Sequence, residues 1–289
     1  MSLSILIPTH NDECYNLVEA LARQAAAISG LLWEILVADD GSTDQQTIDV
    51  NQEINRMENC SYILRNKNSG RSAIRNFLAQ QAQYERLLFV DADMTIVRPD
   101  YLQRYIDSSD EVIYGGYIVG NGSEQNLRYR YERAGEHLHS AQRRSLKPYR
   151  DFHTSNFLIS RKLMTAHPLD ERFQHYGYED VLYGKHFQEQ GIPIRHIDNP
   201  LGFCTFEDNT HFVKKTEEGI CTLYQFRQEL QGFSNILTAT DRLRQWHLIP
   251  VCRLCYRLFA PLLRRNLCGN HPSLTVFKCY KLGYYINIL

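Results

Sequence analysis

Two carboxylates one residue apart, Asp91-Ala92-Asp93, follow the apolar run Leu87-Leu88-Phe89-Val90. Acids just beyond a strand end can reach one hard cation together, and magnesium or manganese takes oxygen ligands while sharing its shell with substrate phosphates. The same three residues also suit a solvated turn. A second acidic pair, Glu179-Asp180, follows Tyr176-Gly177-Tyr178 and precedes a helical pattern over 181–190. Acids favour helix N-termini, so this pair suits the cap of that helix. Two further polar clusters end apolar runs: Pro8-Thr9-His10-Asn11 after Ser4–Ile7, and Asp39-Asp40-Gly41-Ser42 after Trp33–Ala38.

The elements that must hold these clusters follow from hydrophobic pattern. Residues 4–7, 33–38, 62–64 and 87–90 are apolar save for Ser4 and Glu34 and read as buried strands, the first stopped by Pro8. Asn11 or Asp12 is placed to cap a helix carrying Leu17, Leu21, Ala25 and Ile28, with Gly30 as its C-cap. Ser42 and Gln45 have capping-box spacing for a second helix, and Gly70 opens a third with Ala73, Ile74, Phe77 and Leu78 on one side. Four strand–helix alternations predict an α/β fold: a mostly parallel central sheet with helices on both faces. Ligand sites of such sheets lie at the carboxyl ends of the strands, so the clusters after the strands are expected to converge. Beyond residue 100 the pattern predicts strands at 111–117 and 157–160 around a polar segment, 121–152, holding a helix and a mobile loop. A strand at 194–197 is kept near an edge by Pro193. From Thr216 the chain reads helical, divided by Pro250, Pro261 and Pro272.

SILIPTHND, EILVADDGSTD, NSGRSAIRN and LLFVDADM occur in this order, and together they resemble the inverting family 2 glycosyltransferases of the GT-A (Rossmann-like) fold, over roughly residues 1–215. The resemblance implies transfer of a sugar from a nucleotide-sugar, usually a UDP-sugar, to a glycan or lipid-linked acceptor in bacterial polysaccharide assembly. It implies Thr9 and Asp40 at the nucleotide base with Pro8 and His10 shaping the slot, Arg71 near the diphosphate, and Asp91 near the ribose or the metal. Asp93 becomes the direct ligand of Mg2+ or Mn2+, with His211 as a candidate third ligand. Asp180 becomes the general base, with Glu179 its rival or a contact to a sugar, and His153–Asn156 falls where the family lines the sugar pocket. A carboxylate can accept the imide N–H of uracil, so the base assignment is chemically sound. Arg75 is open to two readings, a ligand contact or a structural partner of Asp39. His196, in a strand pattern, reads as a core histidine.

Hydrophobic residues make up 43% and charged residues 22% of the 289, a folded chain rather than a disordered one. The net charge of −1 hides an asymmetry. Asp241 is the last acid, and Arg242, Arg244, Arg253, Arg257, Arg264, Arg265, Lys278 and Lys281 follow it, leaving an acidic body and a basic tail. The division expected is a catalytic domain at 1–215 and a helical C-terminal extension at 216–289. The tail interleaves arginines with Trp, Tyr, Phe and Leu, which suits an anionic membrane surface or a packed helical subdomain. The acidic body argues against nucleic acid as a partner.

Cys252, Cys255, Cys268 and His271 have spacing a zinc site could use, but the pattern around them is helical and a core stripe is the simpler reading. No basic start and no long apolar run marks a signal peptide or a span. The expected address is therefore cytoplasmic, peripheral on the inner face of the inner membrane if the tail engages lipid. Two other functions compete. A nucleotidyltransferase making the sugar nucleotide should carry a Gly-rich, basic loop after the first strand, where PTHND has neither Gly nor Lys. A catalytically inactive nucleotide-sugar-binding protein should have lost the acidic pairs, which are intact.

Overall fold

The structure, a computed structural model, describes residues 1–289. Its strands are β1 (Ser2–Thr9), β2 (Leu32–Asp39), β3 (Cys60–Leu64), β4 (Arg86–Val90), β5 (Met94–Ile96), β6 (Val112–Tyr114), β7 (Tyr117–Val119), β8 (Asn156–Ser160), β9 (Arg195–His196) and β10 (Leu201–Phe203). Its helices are α1 (Tyr15–Ala27), α2 (Gln45–Gln52), α3 (Arg71–Gln81), α4 (Tyr101–Ile106), α5 (Leu127–Gly135), α6 (Ala141–Arg144), α7 (Arg161–Ala166), α8 (Glu179–Glu189), α9 (Asn209–Gln225), α10 (Asn235–Gln245), α11 (Ile249–Leu267) and α12 (Leu274–Ile288). The chain forms two compact units: Met1–Gly120, Leu138–Gln174 and Tyr183–Thr205 in the first, and Asn121–His137, His175–Leu182 and Phe206–Leu289 in the second. The units interleave along the chain, whereas the sequence reading drew one boundary at 215/216.

The first unit is an α/β layer on a seven-stranded sheet, ordered β3-β2-β1-β4-β8-β6-β9, with a three-stranded sheet β5-β10-β7. Strands β3, β2, β1 and β4 run parallel, so the ends of β1, β2 and β4 open on one edge. The pairs β4–β8 and β8–β6 are antiparallel, which makes the sheet mostly rather than wholly parallel. One face of the sheet presents Leu6, Leu36, Ala38, Phe89, Tyr114, Phe157 and Ile159 to Ile74 and Leu78 of α3, Met164 of α7 and Phe187 of α8. Phe89 and Phe157 stack across β4 and β8 with centroids 4.9 Å apart. These continuously apolar strands are the kind that helices must cover.

Several local expectations are corrected. Strand β1 runs through Pro8 instead of stopping there, because its pairing with β4 ends at Leu6 and the missing N–H forfeits no bond on that side. Neither Asn11 nor Asp12 caps α1, whose N-cap is Cys14, and Ser42 does not cap α2, which starts after Asp44. The C-cap of α1 is Ile28, with Gly30 two residues on at φ +74°. The strand expected at 111–117 breaks at Gly115-Gly116 into β6 and β7. The segment 121–152 holds α5 and α6, and β9 lies at the sheet edge as Pro193 implied.

His196 is the core histidine its strand pattern suggested. It donates from Nε2 to the Pro148 carbonyl at 2.9 Å and accepts at Nδ1 from Arg144 Nε at 3.2 Å. Burial drives its pKa from 6.5 down to about 4. The unfolded chain therefore binds a proton that the folded chain refuses between those values. The stability present above pH 6.5 is then lost as pH falls toward 4, by about 3 kcal/mol at most. Urea midpoints at neutral and acid pH should show this loss in the wild type and a flatter dependence in His196→Asn. Parallel slopes would contradict it.

The second unit is helical. Leu127 of α5, Phe212 and Val213 of α9, Leu267 of α11, and Phe277 and Tyr280 of α12 form its core, with Tyr256, Leu263 and Tyr284 packed against it. Helix α11 continues through Pro261, which was expected to divide it, while Pro250 lies in its first turn and Pro272 precedes α12. Cys255 is exposed on α11 and Cys252 half-buried, so the two do not form the core stripe their spacing suggested. No helix is long and apolar enough to cross a membrane.

Candidate functional site

The loops after β1 and β2 are stitched to each other. Asn11, at φ +57°, accepts at its Oδ1 from the N–H groups of Thr43 and Asp44 at 2.8 and 3.0 Å, and its own N–H reaches Ser42 Oγ at 2.7 Å. A left-handed backbone is tolerated by Asn better than by other side chains, which is why this position can turn the chain and still bind across. His10 Nδ1 lies 3.1 Å from the Asp40 carbonyl, and Asn11 Nδ2 lies 3.2 Å from His10 Nε2. A neutral imidazole donating from Nδ1 and accepting at Nε2 satisfies both contacts. Thr9 Oγ1 donates to the Asp12 carbonyl, and Asn51 of α2 ties down the same turn through Asp12 O and Cys14 N.

The two aspartates ending β2 divide their tasks. Asp39 is fully buried and accepts from Ser42 N at 2.7 Å and from the Tyr62 hydroxyl, whose pKa burial and the Asp39 charge push up, keeping it a donor. Asp40 Oδ2 accepts from the N–H groups of Ser69 and Gly70, both at 2.9 Å, and its Oδ1 from Ser69 Oγ at 2.7 Å and Arg65 Nη1 at 3.3 Å. Asp40 thus draws the entry of α3 against the end of β2. Two glycines make that approach possible. A Cβ at Gly41 (φ +74°) would lie 2.6 Å from the Lys67 carbonyl carbon, and one at Gly70 (φ +95°) 3.0 Å from Gln174 Cα.

Helix α3 carries the link onward to the end of β4. Arg75, 1% exposed, pairs with Asp91 Oδ1 and donates to the Arg71 carbonyl at 3.0 Å. Arg71, half-exposed, reaches Asp91 Oδ2 at 3.3 Å. Of the two readings for Arg75, the structural one holds, but its partner is Asp91 and not Asp39. Asp91 N donates to the Ser155 carbonyl at 3.0 Å, which sets His153–Asn156 beside the acid. Next to it the rings of Tyr117, His139 and His153 pack on one another with centroids 5.5 to 6.2 Å apart. Asn156 is fully buried and holds Tyr101 and Tyr105 through its Oδ1, a structural role. Pro8 and Thr9 at the end of β1, and His10, Asp40, Arg71, Asp91 and Asp93 on the loops and helix start beyond the strands, therefore all lie at this one edge. Asn11, Arg65 and Ser69 were not singled out as site residues; only the suitability of Asn for positive φ hints at the first.

In the second unit, the Tyr176-Gly177-Tyr178 turn is seated on α9. Tyr176 N donates to Glu218 Oε1 at 3.2 Å, Thr222 Oγ1 donates to the Tyr176 carbonyl at 3.0 Å, and Lys215 Nζ lies 4.7 Å from the Tyr176 ring centroid. Gly177 and Tyr178 are consecutive left-handed residues, at φ +99° and +69°. A tyrosine held there is strained, by about 1–3 kcal/mol, a kind of strain that concentrates at functional sites. The turn delivers Glu179, 7% exposed, and Asp180, half-buried, at the start of α8, where Asp180 Oδ1 accepts from Val181 N at 2.7 Å. His211 sits exposed in the first turn of α9, its N–H capped by Asp208 Oδ1 at 3.0 Å.

No three His, Cys, Asp or Glu side chains are grouped to hold a metal ion. The oxygen donors of the Asp91–Asp93 turn still suit magnesium or manganese, which needs only one or two carboxylates when phosphates complete the shell. Asp91 itself is engaged by the guanidinium groups of Arg71 and Arg75.

The sequence profile of Glycosyl transferase family 2 matches residues 4–167. EpsH of Bacillus subtilis is 24% identical over 279 residues, 85% of this chain and 77% of that protein. The dolichol-phosphate mannosyltransferase of Pyrococcus furiosus is 33% identical over 135 residues, covering 45% of this chain and 37% of its own. Among solved structures, Staphylococcus aureus TarS in complex with UDP-GlcNAc superposes with a TM-score of 0.53 at 16% identity, over 99% of this chain and 90% of that one, a likeness of fold. The fold is thus the GT-A α/β fold. The chain belongs to glycosyltransferase family 2 and is a glycosyltransferase.

Proposed function

We propose that the enzyme moves a sugar from a UDP-sugar to a hydroxyl of a glycan or lipid-linked acceptor, with inversion at the anomeric carbon. The observation that carries this is the unbroken hydrogen-bonded chain from the β1 and β2 loops through α3 to Asp91, at the carboxyl ends of neighbouring parallel strands. A nucleotide is the ligand such an edge suits best, and the crystallised TarS holds UDP-GlcNAc. In this reading Pro8, Thr9, His10 and Asp40 form the base slot, Asp40 chiefly by positioning the loop backbone. Arg71 bears on the diphosphate and Asp91 on the ribose side. Asp93 holds Mg2+ or Mn2+, with His211 as a further candidate ligand; when bound, the metal offsets charge developing on the leaving diphosphate. His153 and its aromatic neighbours serve the sugar or acceptor.

Asp180 is the base in this scheme. It takes the proton of the acceptor hydroxyl as that oxygen bonds to the anomeric carbon. The bond to the diphosphate oxygen breaks, and the nucleoside diphosphate departs with the electron pair. One displacement inverts the centre. Glu179, more deeply buried, positions the turn or a sugar hydroxyl.

Asp180→Asn is expected to lower kcat by about 10²–10⁴-fold, the usual worth of general base catalysis, while donor affinity stays within about twofold. Single-turnover transfer and equilibrium donor binding measure the two separately. Retained transfer in Asp180→Asn, with transfer lost in Glu179→Gln, would move the base to Glu179.

A further inference from the structure

Helix α11 is apolar on two sides, and only one of them is used by the fold. Tyr256, Leu263 and Leu267 turn inward to the core of the second unit, with the Tyr256 ring 5.8 Å from that of Tyr280 on α12. Val251, Leu254, Leu258 and Leu262, spaced by three and four residues, share another side and are 56 to 64% exposed. Phe259 flanks them at 53%, and Trp246, 69% exposed, lies just before the helix. Scattered exposed leucines need no explanation, but a contiguous row along a 19-residue helix does.

The charges around the row say what covers it. Arg257, Arg264 and Arg265 are exposed on the same helix, and no acid follows Asp241 in the sequence. Arg253 and Arg257 spend their Nε groups on the Ile286 carbonyl and the Asn287 amide oxygen, neither of them a charge partner; Arg264 meets Glu217 at 3.4 Å. A second copy pressed against this face would bring like-charged rows together, which opposes self-association. An anionic bilayer meets both needs, taking the leucines below the headgroups while the guanidinium groups extend to the phosphates.

We infer that the exposed side of α11 docks the enzyme in the plane of an anionic lipid surface, through Trp246, Val251, Leu254, Leu258 and Leu262, with Arg257 and Arg265 on the headgroups. The helix lies on the membrane and does not cross it. This goes beyond sugar transfer and is tested apart from it. The full-length protein is sedimented with vesicles of phosphatidylcholine alone and of equimolar phosphatidylcholine and phosphatidylglycerol. The wild type should bind the anionic vesicles, with release by high salt, and bind the neutral ones at least about fivefold more weakly, the worth of a single basic residue at such a surface.

Leu254→Glu with Leu258→Glu should lose at least about tenfold in partition, and Arg257→Glu with Arg265→Glu a similar factor on anionic vesicles only. All four positions are exposed, and unchanged circular dichroism and melting would verify the fold. Leu254→Gln with Leu258→Gln serves as a milder pair. The inference is overturned if the wild type stays in the supernatant with both vesicles, or binds both equally. It is also overturned if light scattering finds a dimer that the leucine variants dissolve while no vesicle binding occurs, which would give the face to a second copy.

Discussion

Asp93→Ala is expected to lower sugar transfer by about 10³-fold, because a metal stabilising the departing diphosphate is worth several kcal/mol and every 1.36 kcal/mol is a factor of ten. Asp93 sits in the turn after β4, half-buried and outside the sheet core, so its loss should leave the melting temperature nearly unchanged. The measurement is initial rate against Mn2+ concentration for wild type and variant, alongside thermal melting. A variant within tenfold of wild type, with the same Mn2+ dependence, would remove Asp93 from the metal. Asp91 cannot give so clean a test, since its removal strands a buried guanidinium.

That guanidinium is the second large effect. Arg75 is 1% exposed, and its charge is met by Asp91 at 15% side-chain exposure. Removing one partner of a buried ion pair leaves the other uncompensated, typically at 3–5 kcal/mol, whereas replacing both by apolar groups is often near neutral. Arg75→Met should therefore lower Tm by roughly 10 °C, at a few degrees per kcal/mol for a chain of this size. Arg75→Met with Asp91→Leu should recover most of that stability while abolishing transfer. If the double variant melts no higher than the single one, the charge pair is not what holds α3 to β4. Arg71, half-exposed and at 3.3 Å, should by contrast contribute less than about 1 kcal/mol to stability.

How far the sequence could be read depends on whether a signal was local. The buried strands were legible because apolar runs such as Ser4–Ile7 and Leu87–Val90 have one physical use, and the polar clusters at their ends meet at one edge. Partners across that edge were not legible. Asp40 reaches Ser69 and Gly70 about thirty residues away, and Arg75 chose Asp91 over Asp39; both depend on strand order, which no local pattern encodes. Capping residues misled for a related reason. Asn11 and Ser42 have cap chemistry, but they spend it on one another's loops, where tertiary contacts outcompete the helix ends nearby. Pro261 shows the converse, a helix breaker overridden by the packing of Tyr256 and Leu263 on either side of it. The acidic pair at 179–180 was found by motif, yet the left-handed Gly177 and Tyr178 that aim it were visible only in the backbone.

The central claim is that the edge formed by the β1, β2 and β4 loops is a nucleotide-sugar donor site. Isothermal titration of the wild type with UDP, GDP and dTDP, with and without Mn2+, tests it most directly. UDP should bind, more tightly with Mn2+ than without and more tightly than GDP, and Asp93→Ala should erase the Mn2+ dependence. No binding of any of the three nucleotides under either condition would contradict the account.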